Sequence, residues 1–319
     1  MQPLRSMVGG RILGFGAAQP VNSTSSGELG QQFGRSADWV EARTGIRAVR
    51  RLTAGEQLID LAMAAASDAV GRSRLGGAAI DVVIAATCSS RQGTAPLAPR
   101  LAQKFAPNAA TIDLNSACSG FCYAVGVADA LIRGGSAEYV LIVAAEHMSG
   151  LIAPDDVGTA IIFGDGAGAA VVGPSVAEQV MIGPIAWGSD GAQAGLIAFD
   201  DADEYMGMQG RQVFRWAVET VHETAAAACA NAGVALADVE VFVPHQANLR
   251  ITNALVTKLG LEHAIVATDI VNSGNTSEAS IPIALTRLAE GGDLRSGQLA
   301  LLLGFGAGLA CAAQVVRLP

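Results

Sequence analysis

Two hydrophobic rhythms alternate along the chain. The runs "IDVVIAATC" (80–88), "YVLIVAAE" (139–146), "AAVVG" (169–173), "VEVFVPH" (239–245) and "QLALLLGF" (298–305) are apolar at nearly every position. Such runs predict strands buried on both faces, because a strand with one wet face would alternate. Between them lie Ala-rich stretches with helical apolar spacing: 56–71, 120–135, 211–233 and 248–260, each closed by glycine. Strands covered on both faces need helices on both sides, so the pattern predicts an α/β protein.

A repeat is visible within this pattern. "GDGAGAAVV" (164–172) resembles "GFGAGLACAAQVV" (304–316), and each is a Gly-rich turn between apolar runs. The repeat divides the chain into halves 1–174 and 175–319. The Gly-x-Gly-x-Gly spacing does not read as a dinucleotide site, because a strand-like run follows it where a helix is required.

Composition narrows the function. The 319 residues are 51% hydrophobic and carry a formal charge of −9 without a basic block, which argues against nucleic acid binding. No apolar stretch is long enough to span a membrane, and the N-terminus lacks a secretory layout, so a cytoplasmic protein is expected. Cysteines 88, 118, 122, 229 and 311 are odd in number and scattered. They fit a reducing compartment and form no CxxC pair, so no metal site is expected.

Chemistry concentrates at "TIDLNSACSGFCYAVGVADALIRGG" (111–135), where Cys118 stands among small residues between a strand and a helix. A tight strand-to-helix turn exposes one side chain, and a helix N-terminus favours a thiolate. The other reading is a small buried core residue, which fits Cys122 better. Among the four histidines, His222 and His263 lie in polar, surface-like contexts, and His147 follows a strand. His245 ends a strand beside Pro244, Gln246 and Asn248, at the carboxyl edge where α/β sheets carry sites. Asn275 lies in "VNSGNTSEASIPIAL" before another helix; taken alone it reads as an N-cap, with Glu278 completing a capping box.

Together, "LNSACSGF", "VPHQANLRI", "GNTSEASIPIAL", the two glycine turns and "ADWVEARTGIR" resemble the β-ketoacyl-acyl-carrier-protein synthase III family over almost the whole chain. The resemblance implies a thiolase-like fold of duplicated αβαβα layered halves with mixed five-stranded sheets. The first half then carries the nucleophile and the second the histidine and asparagine. It also implies a two-step reaction. Cys118 takes an acyl group from a coenzyme A or carrier-protein thioester, with the N–H groups of Cys118 and Ala307 facing the oxyanion. A malonyl thioester then loses CO₂, and His245 and Asn275 donate hydrogen bonds to the resulting enolate. No cofactor is implied beyond the phosphopantetheine arm of the substrates. Along that arm the matching positions are Trp39, Arg43, Thr44, Gly158, Gly210, Phe214, Ala247 and Asn248. Arg215, Arg250 and Lys258 offer a basic rim for an acidic carrier protein. A homodimer is expected, with the loop around Ala95 completing the neighbour's acyl pocket.

Three departures from the family pattern point away from acetyl priming. Val157 stands where an arginine would meet adenine, Ala95 stands in place of a bulky phenylalanine, and the stretch 189–210 is short. A larger acyl group, in specialised fatty-acid or polyketide metabolism, is expected. The alternative is transfer of the acyl group from Cys118 to a hydroxyl or amine of a natural-product acceptor without condensation.

Overall fold

The apolar runs become the interior strands of two five-stranded sheets. The computed structural model describes residues 9–75, 79–89, 96–175, 181–199 and 205–319. In chain order its strands are β1 (Gly10–Ala18), β2 (Ser23–Ser25), β3 (Ala48–Arg50), β4 (Val82–Ala86), β5 (Ala110–Leu114), β6 (Val140–Glu146), β7 (Gly166–Pro174), β8 (Ala186–Ser189), β9 (Ile197–Phe199), β10 (Met206–Met208), β11 (Val241–Pro244), β12 (Ile265–Val266), β13 (Leu299–Phe305) and β14 (Ala310–Arg317). The helices are α1 (Ser26–Gln32), α2 (Ala37–Thr44), α3 (Leu58–Ser73), α4 (Leu97–Phe105), α5 (Gly120–Arg133), α6 (Val157–Ala160), α7 (Gly210–Glu219), α8 (Val221–Ala232), α9 (Leu249–Leu259), α10 (Ile270–Ser273) and α11 (Ser280–Glu290).

The duplication is explicit in the strand order. One sheet runs β1-β7-β6-β4-β5 and the other β8-β14-β13-β11-β12. In each, the first two pairings are antiparallel and the last two parallel. Helices α5 and α11 form the layer between the sheets, and their apolar faces share one core with both. Helices α3 and α4 cover the outer face of the first sheet, and α7, α8 and α9 that of the second. The result is five layers, αβαβα, as the resemblance implies. The halves are interlocked, because α11 lies on β7 of the first half: a Cβ at Gly168 would stand 2.7 Å from Pro282 Cγ.

Two local features differ from the sequence reading. The stretch 211–233, read as one helix, breaks at Thr220, whose φ of −117° ends α7 before α8 begins. Strand β1, "GRILGFGAA", gave no strand signal because glycines interrupt it. Their absence of side chains is what lets α3 lie directly on the strand: a Cβ at Gly16 would fall 2.2 Å from the Ala65 carbonyl oxygen.

Candidate active site

Strand β5 ends at Leu114, and the chain turns within five residues into α5. The Asn115 side-chain oxygen accepts the Ala117 N–H at 3.1 Å. Ala117 adopts φ 43°, and a single 3-10 turn, 117–119, delivers Cys118 to the start of α5. A left-handed alanine stores backbone strain, which the surrounding packing must hold. That packing is close: a Cβ at Gly306 would lie 2.7 Å from Cys118 Cβ and 3.0 Å from its Sγ. The backbone of 306 and 307 therefore passes directly beside the thiol.

The second half supplies a matching turn. Residues 277–279 form another 3-10 turn, opening α11, and Ser277 adopts φ 50°. The Ser277 hydroxyl donates to Cys118 Sγ at 3.4 Å. Asn275 is clamped by backbone bonds, its N–H donating to the Ile162 carbonyl at 2.8 Å and its carbonyl accepting from Gly164 at 3.0 Å. Its side-chain oxygen accepts the Ser277 N–H at 2.8 Å, which leaves the amide N–H₂ group for the cavity. A third 3-10 turn, 307–309, contains Leu309 at φ 39°. Three of the four left-handed non-glycine residues described thus lie in the turns around Cys118.

His245 follows β11, its N–H bonded to the Leu303 carbonyl at 2.7 Å. Its ring is buried edge-on against Phe305. Nδ1 lies 2.7 Å from Ser280 Oγ, which also accepts the Gln246 N–H at 3.2 Å. The Ser280 hydroxyl engages Nδ1, which leaves Nε2 as the ring nitrogen outside that bond. Burial pushes His245 down to about 3, against an opposing backbone hydrogen bond with Ser277. The ring is a neutral donor at physiological pH.

Part of Cys118 opens onto the cavity, yet the chain around it desolvates the thiol and pushes it up to about 12. The helix end favours a thiolate by at most about 2 kcal/mol, so burial outweighs it and the expected resting thiolate is replaced by a thiol. Burial raises the thiol and lowers the imidazole, so both shifts oppose proton transfer from Cys118 to His245 in this closed state. Alkylation of Cys118 by a neutral reagent should therefore rise about tenfold per pH unit from pH 6 to beyond pH 9, as the thiolate fraction grows. A plateau near neutrality, read by mass spectrometry of the Cys118 peptide, would show a helix-stabilised thiolate instead. The linkage has the same sign. Between the ordinary value of 9 and about 12 the unfolded chain loses this proton while the folded chain keeps it, so stability falls as pH rises through that window.

Cys118, His245, Asn275 and Ala307 line one cavity of about 540 Å³. Gly158, Gly210, Phe214, Ala247, Asn248 and Arg250 line it too, and the Arg250 guanidinium stacks on Phe214 at 5.1 Å. Trp39 and Arg43 stand outside the lining and stack on each other at 3.9 Å; Asn248 reaches them by donating to the Arg43 carbonyl at 3.1 Å. Thr44 is not brought to the cavity. It is buried, and its hydroxyl donates to Val40 and accepts from Ile46. Arg215 and Lys258 are exposed and line no part of the cavity. Ala95 lies outside the described residues. Cys122 is buried core, as expected. His263 is exposed, as expected, and its Nε2 lies 3.1 Å from the Val239 carbonyl oxygen, whereas His222 is partly buried.

The capping-box reading of Glu278 is corrected. Glu278 is fully buried, and neither carboxyl oxygen has a partner of hydrogen-bond geometry among the described residues. Its side chain fills the space over Gly120 and does not reach back to the Asn275 backbone. Residues that local sequence did not reveal also shape the site: Ser277, Ser280, Cys88, and the hairpin strands β9 and β10 with Met206 and Met208.

A nucleophile on a helix end, flanked across a duplicated five-layer fold by a neutral imidazole and a carboxamide, defines an acyl-transferring condensing enzyme of the thiolase fold. Comparison with known proteins gives the family. Residues 112–191 match 3-oxoacyl-[acyl-carrier-protein] synthase III and residues 229–318 match its C-terminal domain. The chain belongs to the 3-oxoacyl-[acyl-carrier-protein] synthase III family. It is 42% identical to the β-ketoacyl-[acyl-carrier-protein] synthase III of Mycobacteroides abscessus, over 97% of this chain and 94% of the relative. It is 39% identical to that of Streptomyces lividans, with the same coverage. The solved structure of the priming β-ketosynthase from the R1128 polyketide biosynthetic pathway superposes with a TM-score of 0.94 at 38% identity, covering 99% of both chains.

Proposed function

We propose that Cys118 takes an acyl group larger than acetyl from a carrier-bound thioester and condenses it with a malonyl thioester after loss of CO₂. The observation that carries this reading is the placement of Cys118, His245 and Asn275 on one apolar cavity, with the two donors neutral. A neutral Nε2–H and an amide N–H₂ stabilise an enolate without simply protonating it. The Cys118 and Ala307 N–H groups are the candidate oxyanion donors. The lining near Cys118 is apolar and rich in sulfur, with Cys88, Met148, Leu151, Phe163, Met206 and Met208. Methionines adapt to chains of irregular shape. Val157 packs into an apolar cluster with Trp39, which offers no cation to an adenine and favours carrier-protein donors over free coenzyme A. Arg250 at the cavity mouth, with Arg215 and Lys258 outside it, supplies the basic rim for an acidic acyl carrier protein. The edge strand β5, partly exposed and leading into the Cys118 turn, is where a second copy pairs in a homodimer. No described helix is long and apolar enough to cross a membrane.

The test is a panel of acyl thioesters followed by mass spectrometry of the Cys118 peptide and by CO₂ release from a malonyl-carrier protein. A four-carbon acyl group should load about tenfold better than acetyl, since each extra buried methylene is worth about 0.8 kcal/mol. Preference for acetyl-coenzyme A would overturn the substrate reading. Acylation followed by transfer to a hydroxyl or amine, with no CO₂ released, would overturn condensation.

A further inference from the structure

The chain around His245 is pinned by bonds that leave its ring free to turn. The His245 N–H donates to the Leu303 carbonyl at 2.7 Å, and the His245 carbonyl accepts from Ala247 at 2.9 Å. The Gln246 side chain is closed as well. Its amide donates to the Pro244 and Ala267 carbonyls at 2.7 and 3.2 Å, and its oxygen accepts the Ile270 N–H at 3.2 Å. None of these bonds sets the side-chain torsions of His245. Phe305 meets the ring edge-on with centroids 5.3 Å apart, and a backbone hydrogen bond with Ser277 reaches it. The third holder is a side chain: Ser280 Oγ stands 2.7 Å from Nδ1.

Ser280 is the first residue of α11 and is 1% exposed. Its hydroxyl has two partners among the described residues, Nδ1 and the Gln246 N–H at 3.2 Å. The amide can only donate. If Nδ1 also carried a proton, the serine would accept twice and its own buried proton would have no acceptor. With the serine donating to Nδ1, every group is satisfied. The imidazole proton then sits on Nε2, and His245 lines the cavity. The same short segment carries Asn275 and Ser277, whose hydroxyl donates to Cys118 Sγ at 3.4 Å.

We propose that Ser280 is the positioning residue for decarboxylation: its hydroxyl sets the His245 tautomer and aims Nε2–H at the place of the enolate oxygen. This rests on His245 donating to the enolate of a malonyl thioester. In that step the bond between the carboxylate carbon and the α-carbon breaks and CO₂ leaves. The electron pair passes to the thioester oxygen, where Nε2–H and the Asn275 amide meet it. No proton leaves His245 or Ser280. As Nε2–H donates to the growing charge, Nδ1 becomes a better acceptor, so the Ser280 bond tightens in the transition state. Acyl loading draws on Cys118 and the backbone N–H groups and leaves Nε2 idle, so the two half-reactions respond differently.

The experiment compares the full-length ¹⁵N-labelled enzyme with Ser280→Ala and Ser280→Thr. The chain has four histidines, and His245→Ala assigns the signal of position 245. Long-range ¹H–¹⁵N correlation at neutral pH reads which ring nitrogen holds the proton. Rapid-quench mass spectrometry reads acyl loading, and CO₂ release from a malonyl thioester by pre-acylated enzyme reads decarboxylation. The wild type is expected to show the Nε2–H tautomer alone, and Ser280→Ala a mixture of both. Ser280→Ala should load at the wild-type rate yet release CO₂ about 10- to 100-fold more slowly, the scale of losing the outer partner of a metal-bound histidine. KM for the malonyl thioester should stay unchanged, because an interaction made only in the transition state moves kcat. Ser280→Thr keeps the hydroxyl and should recover the single tautomer and most of the rate.

A wild-type spectrum with the proton on Nδ1 overturns the proposal, and it does so even where Ser280→Ala, which strands the Gln246 N–H, fails to fold. Wild-type CO₂ release by Ser280→Ala overturns it as well. So does an equal loss of loading and CO₂ release, which marks a structural role. A wild type that loads but releases no CO₂ would instead sink the condensation reading and this role with it, while the spectra would still report on the Ser280 bond.

Discussion

Replacing Cys118 with alanine is expected to leave no acyl-enzyme and to lower turnover by about 10⁶, the scale of losing a covalent nucleophile. Neither neighbouring cysteine is a ready substitute: Cys88 lines the same cavity, but burial and then Glu146 push its thiol well up. Cys122 is one turn further along α5, fully buried, and pushed up to about 12 by that burial. Gly304 packs against it, leaving about 3.3 Å between a would-be Cβ and the Cys122 sulfur. The fold should survive, because Cys118 is only half-buried and its sulfur accepts one hydroxyl bond. Peptide mass spectrometry after incubation with an acyl thioester checks the first point and thermal unfolding the second. An acyl mass on Cys122 would show that the nucleophile has been misassigned.

The second large effect separates the two half-reactions. His245→Ala and Asn275→Ala should still become acylated, because neither side chain is needed to attack the donor. Each should lose malonyl decarboxylation by about 10²–10³, the usual cost of one preorganised donor to a developing oxyanion. The donors serve one intermediate, so the double variant should cost little more than either single one. CO₂ release from a malonyl thioester by pre-acylated enzyme measures this. Full decarboxylation by Asn275→Ala would reduce that residue to a turn former, since its side-chain oxygen already closes the turn at Ser277.

What the sequence disclosed, and what it hid, divides by range. The interior strands were legible because burial on both faces leaves a continuous apolar run. The Cys118, His245 and Asn275 segments were legible because each pairs a reactive residue with a turn of small residues. Strand β1 was hidden because its glycines answer to α3, some fifty residues away. Glu278 was misread because Asn-x-x-Glu spacing describes a cap locally, while only the tertiary fold places that side chain over Gly120, 158 residues earlier in the chain. The Ser280 hydroxyl that bonds the His245 ring lies 35 residues from it, and no local spacing reports such a bond. Trp39, Arg43 and Thr44 came from the family pattern, and the structure places all three outside the cavity lining.

The turns at 117–119 and 277–279 open the two central helices of a duplicated fold, each led by a left-handed residue. Counting from those residues, Cys118 and Glu278 are counterparts. Gly120 separates them, and a Cβ there would land 1.6 Å from a Glu278 oxygen. Sequence change across this pseudo-dyad is therefore paired: position 120 can grow only if position 278 shrinks. Of two matching helix starts, one carries the thiol and the other a carboxyl group. The steric contact ties position 278 to position 120, so neither can enlarge while the other keeps its size.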